Sequence, residues 1–283
     1  MRASPLPFFS MRHWRNITPP ASSRSRAFTL IEMLVVMSLV TLLISLLLPS
    51  LGKSKKAARA VECLSNQRQL QQAQLNYSDN NGGRTKNLSH GFGNYWHHSI
   101  ASYLGDDKYR SNSNQGQWKH PPMSVLTCPE ARNAPISSPG TIEHLWNWGG
   151  GGQGAYGANL WMYPKYVEYD SDFRFPRGDF FASFQDVPAP SATPLYGDSN
   201  WVGGWPDDVD FPPPNPASGP APNLYTGLFV HEIGYFMGRW TLDRHDRGIN
   251  VVFVDSSARK VSLEGLWQLR WHKSFQSKVV TVP

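Results

Sequence analysis

Three acidic residues have the types and spacing of metal ligands. Asp207, Asp208 and Asp210 lie in a short stretch rich in proline and glycine, and calcium prefers oxygen ligands such as carboxylates. Their spacing is not that of an EF-hand loop, so a solvated acidic loop is the alternative. The sequence predicts no cofactor. The metal that we consider is calcium, bound by these three carboxylates.

The chain has two cysteines, Cys63 and Cys128. They are too few for a disulfide scaffold and lack the C-x-x-C spacing of zinc and redox sites. Two interpretations remain open. The pair can form one disulfide, which would suit an extracytoplasmic domain, or the two can remain buried thiols.

His245 and Asp255 are the residues that one would consider for acid and base chemistry. Residues 250–255 alternate and are β-branched, residues 256–257 are a turn signal, and residues 258–263 can return as a second strand. We therefore predict a hairpin and assign structural roles to both residues. His245 would orient the hairpin, and Asp255 would cap its turn through local backbone hydrogen bonds.

The familiar enzyme motifs are incomplete or absent in this sequence. Residues 152–157 match G-x-G-x-x-G, but no clear strand precedes them and no helix follows. His231 and Glu232 begin like H-E-x-x-H, yet Tyr235 stands where the second zinc ligand should be. The serine-hydrolase motif G-x-S-x-G is absent. We predict that the protein is not an enzyme.

Five tryptophans could form a stacking platform for sugars or a patch for a hydrophobic partner. They are Trp146, Trp148, Trp161, Trp201 and Trp205. The alternative is that they fill the core. Long loops are expected at residues 111–117, 148–152 and 211–222, where binding specificity usually resides.

Composition favours a turn-rich β domain, since the 283 residues include 24 Gly and 23 Pro and are 40% hydrophobic. The formal net charge is +6, but the positive charge is concentrated in residues 1–27 and 53–68. The remainder, residues 69–283, is mildly acidic. The charge distribution therefore gives no support for binding to nucleic acid.

Residues 28–48 form an apolar run of 21 residues with one charge, Glu32. A helix of this length, at about 1.5 Å per residue, crosses the roughly 30 Å hydrocarbon layer of a membrane. An ionised carboxylate there costs on the order of a few kcal/mol. Either the side chain reaches the headgroups or another group compensates its charge.

The string RSRAFTLIE at residues 24–32 resembles the processing site of type IV prepilins and type II secretion pseudopilins. The resemblance implies that a prepilin peptidase cuts between Ala27 and Phe28 and that the new terminus, Phe28, is N-methylated. Ala27 stands where the family usually has Gly, which is a tolerated departure. Glu32 would then be the fifth mature residue, which serves in assembly, and Pro49 would bend the helix.

The resemblance also gives a physical role to Glu32. Cleavage creates an α-amino cation in the same low-dielectric zone, so the cation of a neighbouring subunit can neutralise the carboxylate. The expected partners are the prepilin peptidase, other pilin or pseudopilin subunits and the bacterial inner membrane. Basic residues flank both sides of the apolar run, so a cytoplasmic leader and a periplasmic or extracellular head follow from the resemblance alone.

Further segments resemble a large bacterial pseudopilin-like subfamily. They are residues 63–82, the Cys-Pro step at residues 127–130, the Tyr-Gly-x-Asn segment at residues 155–159, and a C-terminal His-x9-Asp-Gly signature. In that signature His245 and Asp255 match, but Ser256 replaces the Gly. The replacement puts the tight turn that Gly favours in doubt, although Ser is accepted in turns.

We therefore predict an α+β, pilin-like fold, in which a long N-terminal helix packs on an antiparallel β-sheet head with long loops. Residues 1–27 are the leader, 28–51 the transmembrane helix, 52–80 the helical stem and 81–283 the head. The stem should pack on the head through an apolar stripe. Its residues are Ala57, Val61, Leu64, Leu70, Ala73 and Tyr77.

The predicted function is that of a subunit of a type II secretion pseudopilus or a type IV pilus-like filament, which acts by assembly. The alternative is a membrane-tethered carbohydrate-binding or hydrolytic module that uses a prepilin leader for export. Entry into a filament distinguishes the first hypothesis, and glycan binding or substrate turnover by the head distinguishes the second.

Overall fold

The computed structural model describes residues 28–85, 95–105, 124–132, 140–147, 152–163, 177–216 and 236–283. The chain divides into two compact units, Met1–Leu51 and Gly52–Pro283. Helix α1, Leu30–Asn80, contributes to both. A short helix α2, Trp96–Ile100, belongs to the second unit.

Helix α1 is 51 residues long and includes Pro49. The bend that we predict at Pro49 stays a prediction. The helix ends where two glycines adopt positive φ angles, 67° at Gly82 and 75° at Gly83. The backbone N–H of Gly83 donates to the carbonyl oxygen of Ser78 at 2.9 Å, as in glycine-terminated helices. Among the described residues, α1 is the one helix long and apolar enough to span a membrane.

The described residues of the second unit form two sheets. A two-stranded sheet pairs β1, Trp146–Asn147, with β2, Gln153–Gly154. The main sheet has the order β5-β3-β4-β6-β7. Its strands are β3 Tyr156–Asn159, β4 Pro194–Asp198, β5 Gly203–Gly204, β6 Gly248–Phe253 and β7 Ala258–Ser262.

The predicted α+β class, with a long N-terminal helix and a β-sheet head, is confirmed. The main sheet is mixed, however, because the edge strand β5 runs parallel to β3 while the other pairs are antiparallel. The C-terminal hairpin forms from β6 and β7, and Val252 pairs with Ala258 beside its turn. Ser256 occupies the left-handed region in that turn, with φ of 69°.

The stem packs on the head through the C-terminal part of the predicted apolar stripe, where Leu70 and Ala73 are buried and Tyr77 packs against the core. Ala57 and Val61 are exposed, so that part of the prediction is wrong. The buried residues of α1 are Cys63, Gln67, Leu70, Gln71, Ala73, Gln74 and Ser78. The face therefore contains three buried amides, which hydrophobic periodicity does not reveal.

Each of these amides bonds a specific atom of the sheet or its edge. Gln67 Nε2 donates to the carbonyl oxygen of Asn250 at 3.0 Å, and Gln71 Nε2 donates to that of Val254 at 3.1 Å. Gln74 Oε1 accepts from the hydroxyl of Tyr196 at 2.9 Å. Because buried amides need partners, these bonds fix the register of the stem along β6.

Large aromatic side chains fill the core of the second unit. Among the predicted platform tryptophans, Trp146, Trp161 and Trp205 are buried and Trp201 is partly exposed, while Trp148 lies outside the described residues. The core interpretation therefore holds for three of the five. Trp96, Trp240, Trp267 and Trp271 are also buried.

Candidate functional site

Four side chains that could bind a metal lie close together where the stem packs on the head. Cys63 comes from α1, Cys128 follows a 3-10 turn at Ser124–Leu126, Asp198 ends β4, and His245 precedes β6. All four are buried, and their sulfur, nitrogen and carboxylate oxygen atoms lie within 4.8 Å of one another. We call these four residues the Cys–Asp–His cluster.

The distances within the cluster are short. His245 Nε2 lies 3.1 Å from Asp198 Oδ2 and 3.5 Å from Cys128 Sγ. Cys63 Sγ lies 3.6 Å from Asp198 Oδ1 and 3.7 Å from Oδ2. The two cysteines are free thiols in the structure, so the single disulfide stays a prediction.

Asp198 is held from two further sides. Arg244 Nη1 donates to Asp198 Oδ1 at 3.2 Å, and the backbone N–H of Asn250 donates to Oδ2 at 2.9 Å. The guanidinium of Arg244 also donates to the carbonyl oxygens of Ala155 and Thr141, at 2.9 and 2.7 Å. These bonds offset the cost of burying the carboxylate and the guanidinium.

Cys63 has polar neighbours of its own. Tyr156 Oη lies 3.4 Å from Cys63 Sγ and 3.0 Å from the carbonyl oxygen of Thr127. Gln67 Nε2 lies 3.6 Å from the same sulfur. The amide that sets the register of the stem therefore also faces the cluster.

The four side chains shift one another's pKa values. Burial raises the pKa of Cys63, whereas the hydrogen bond from Cys63, aided by His245, lowers the pKa of Cys128 to about 7. Burial alone would lower the pKa of His245, but Asp198 raises it to about 10. Burial would raise the pKa of Asp198, but His245 and Arg244 hold it below its usual value. The carboxylate thus remains ionised beside two cations.

The signature residues His245 and Asp255 do not meet. The His245 ring belongs to the Cys–Asp–His cluster, and its backbone N–H donates to the carbonyl oxygen of Gly248 at 3.0 Å. Asp255 is exposed at the hairpin turn, where its Oδ1 accepts from the backbone N–H of Ser257 at 2.9 Å. The strand between them has six residues, about 20 Å at roughly 3.3 Å per residue. They therefore cannot act as one acid–base pair.

Sequence reasoning missed Asp198, the residue that all other members of the cluster face. A signal for it exists in the sequence, because an acidic residue ends the otherwise apolar segment Pro194–Asp198. A buried strand that carries a carboxylate requires a cation or hydrogen-bond donors nearby. Arg244 and His245 supply both.

The three acidic calcium candidates have separate environments. Oxygen atoms of Asp207 and Asp208 group with a ring nitrogen of His272. Asp210 is fully buried, and its Oδ2 accepts from the backbone N–H groups of Asp207 and Met237, at 3.0 and 2.6 Å. Asp210 thus serves as a backbone cap, and calcium at this loop stays a prediction.

The N-terminal end of α1 contains the second candidate site. The backbone N–H and the hydroxyl of Thr29 both donate to Glu32 Oε2 at 2.8 Å, and the backbone N–H of Glu32 donates to Thr29 Oγ1 at 3.3 Å. This reciprocal pair is a capping box, which starts a helix. Every described side chain from Phe28 to Arg59 is exposed.

Comparison with known proteins identifies a sequence motif at the N-terminal end of the chain. Residues 22–48 match the prokaryotic N-terminal methylation motif. The N-terminus of the chain is prepilin-like. The match supports a prepilin-type leader of the kind that pilus and secretion systems use, and together with the apolar helix it fits a single-pass membrane anchor. Chains with this motif are in general processed by a prepilin peptidase and assemble with other pilin subunits. No curated protein and no solved structure matches the chain.

The residues to which the resemblance assigns processing and assembly lie at this end of the chain. Phe28 and Glu32 lie within the matched range and within the described residues. Ala27 lies within the match but outside the described residues. The match ends before the Cys–Asp–His cluster, which it therefore leaves without an assigned role.

Proposed function

We propose that the protein is a pilin-like subunit of a type II secretion pseudopilus or a type IV pilus-like filament and that it acts by assembly. The observation that carries the proposal is the N-terminal methylation motif at residues 22–48, which overlaps the apolar segment 28–48, where every side chain is exposed. Such a surface requires lipid or neighbouring apolar helices around it.

Glu32 is the residue that we assign to assembly. Its hydrogen bonds with Thr29 satisfy the carboxylate as an acceptor, but they do not neutralise its charge. Cleavage between Ala27 and Phe28 would create an amino group, N-methylated on Phe28, at the same depth in the membrane. The ammonium of one subunit would then pair with the Glu32 carboxylate of the next, where a low dielectric strengthens the attraction.

The proposed location is the bacterial inner membrane, with the leader in the cytoplasm and the head in the periplasm or outside the cell. The resemblance of residues 24–32 to prepilin processing sites motivates this orientation. The alternative function is a membrane-tethered carbohydrate-binding or hydrolytic module, and the burial of three tryptophans argues against its carbohydrate-binding form. Trp146, Trp161 and Trp205 are buried and are not available as a sugar platform.

Mass spectrometry of the N-terminus tests the proposal directly. The full chain is expressed with a prepilin peptidase, extracted from membranes and digested. We expect a mature chain that begins at N-methylated Phe28, and the uncleaved chain when the peptidase is inactive. A mature chain that retains residues 1–27, or that begins elsewhere, would contradict the proposal.

A further inference from the structure

We propose that the Cys–Asp–His cluster is a zinc site, in which Cys63, Cys128, Asp198 and His245 bind one ion and tie the stem to the head. The inference is independent of the assembly function, because none of the four residues lies in the methylation motif. It also reverses the expectation from the sequence, which predicted no cofactor other than calcium.

The spacing of the ligand atoms is that of a tetrahedron around zinc. Zinc bonds of about 2.3 Å to sulfur and about 2.0–2.1 Å to nitrogen and oxygen give tetrahedral edges of roughly 3.5 Å from sulfur to nitrogen or oxygen and roughly 3.3 Å from nitrogen to oxygen. With Asp198 Oδ2 as the bound oxygen, three of the six edges are 3.5 Å from Cys128 Sγ to His245 Nε2, 3.7 Å from Cys63 Sγ to Asp198 Oδ2, and 3.1 Å from His245 Nε2 to Asp198 Oδ2.

The charges in the cluster also favour a divalent ion. A bound ion would displace the protons of both thiols and of His245, so the four ligands would carry three negative charges beside the one positive charge of Arg244, which is fully buried at the side chain. A divalent cation makes this buried group neutral, and burial of uncompensated charge is costly. The two sulfur ligands favour zinc over calcium or magnesium, which prefer oxygen.

The surroundings supply the outer contacts that metal ligands usually have. Arg244 and the backbone N–H of Asn250 donate to the Asp198 carboxylate, and Tyr156 Oη and Gln67 Nε2 face Cys63 Sγ. All four ligands are buried and all four come from the protein, as in closed structural zinc sites. The role that follows is stabilisation of the stem–head contact and not catalysis.

The site would connect distant parts of the chain. Cys63 lies on α1, whereas the other three ligands lie on three separate segments of the head. A disulfide between Cys63 and Cys128 would also link stem and head. It would account for the two sulfur atoms alone, and not for the positions of Asp198 and His245 around them.

The first test measures metal in the full chain, purified in detergent without chelators, by elemental mass spectrometry. We expect about one zinc per chain in the wild type and a loss of about tenfold or more in Cys63→Ser and Asp198→Asn. The double variant Asp207→Asn/Asp208→Asn is the matched control at the other acidic group, and it should keep its zinc. Zinc that persists in both cluster variants, or that disappears in the control, would overturn the proposal.

The second test uses the wild type alone, so it does not depend on the folding of a variant. Zinc is replaced by cobalt(II), and we expect absorption bands of thiolate-bound, tetrahedral cobalt. The intact mass of the metal-free chain reports the state of the thiols. A mass lower by two hydrogens reveals a disulfide and would overturn the proposal, as would a chain with two free thiols that binds neither zinc nor cobalt.

A third test concerns Arg244, which donates a hydrogen bond to the ligand Asp198 and would not itself bind the metal. Arg244→Gln keeps a hydrogen-bond donor near Asp198 but loses the bonds to the carbonyl oxygens of Ala155 and Thr141 that hold the guanidinium in place, so Asp198 is less well oriented and we expect zinc affinity to fall about 10- to 100-fold. A competition titration with a chromophoric zinc chelator measures the change. An unchanged affinity would show that the guanidinium does not support a bound metal.

Discussion

The two parts of α1 differ in both composition and burial. In the first unit, the described residues from Phe28 to Leu51 are mostly apolar with one charged residue, Glu32, and all are exposed. In the second unit, the stem from Gly52 to Asn80 is mostly polar, yet it buries Cys63 and three glutamines against the head. The comparison teaches that hydropathy identifies a surface that needs lipid or other subunits, but it does not identify a packing face built from amides.

The largest expected effect is the loss of charge at Glu32. Glu32→Gln keeps an oxygen that can accept from Thr29 but removes the charge that would attract a neighbour's ammonium. We expect processing to continue and incorporation into filaments to fall about tenfold or more, since about 1.4 kcal/mol already corresponds to tenfold. Immunoblots of sheared filaments and of membranes measure the two steps.

Thr29→Val is the matched control for this prediction. It removes the hydroxyl of the capping box and leaves the Glu32 charge, so it should cost about 1 kcal/mol of helix stability and reduce incorporation less than Glu32→Gln does. If Thr29→Val were the more harmful change, the capping box and not the charge would be the function of Glu32.

The next effect concerns the apolar component of the stem face. Leu70 is fully buried, so Leu70→Ala should lower the free energy of unfolding of the second unit by about 2–5 kcal/mol. Val61 is 65% exposed on the same helix, and Val61→Ala should change it by less than about 0.5 kcal/mol. Denaturant unfolding followed by the fluorescence of the buried tryptophans reports both values. Equal effects would contradict the assignment of the packing face.

The amide component of the same face should contribute less. Gln71→Ala removes the donor to the carbonyl oxygen of Val254 and leaves that oxygen without this bond, at a cost of about 1–3 kcal/mol. The adjacent Gln72 is exposed and bonds Asn76, so Gln72→Ala should cost less than about 0.5 kcal/mol. The same unfolding measurement compares the neighbours. A neutral Gln71→Ala would mean that the amide is not required for packing.

The smallest effect lies at the end of β6, the strand on which the stem packs. Ser256 has a φ of 69°, a conformation that costs a non-glycine residue about 1–2 kcal/mol. Ser256→Gly should therefore raise stability by roughly 0.5–1 kcal/mol after the entropy cost of glycine. Thermal unfolding measures this gain.

Ser257→Gly is the control for the turn. It removes the hydroxyl that donates to Asp255 Oδ1 at 2.6 Å, and Ser257 is not among the residues with positive φ. We expect it to destabilise the hairpin by about 1 kcal/mol. A loss of stability in Ser256→Gly, or a gain in Ser257→Gly, would contradict the assigned turn geometry.

Much of the fold could be predicted because it depends on local signals. The long helix and its glycine-rich end, and the C-terminal hairpin, follow from periodicity and turn residues near one another in the chain. The parallel edge strand β5 could not be predicted, since its two residues, Gly203 and Gly204, have no strand propensity. The sheet was therefore expected to be entirely antiparallel.

The sequence by itself determined the prepilin-like N-terminus, because the motif, the apolar run and Glu32 are contiguous and act through local chemistry. Only the tertiary structure decided the stem face and the Cys–Asp–His cluster. Gln67 and Gln71 bond backbone carbonyls, which have no signature in the sequence. Cys63, Cys128, Asp198 and His245 are far apart along the chain, so only folding of the sheet and the stem brings their side chains within reach of one ion.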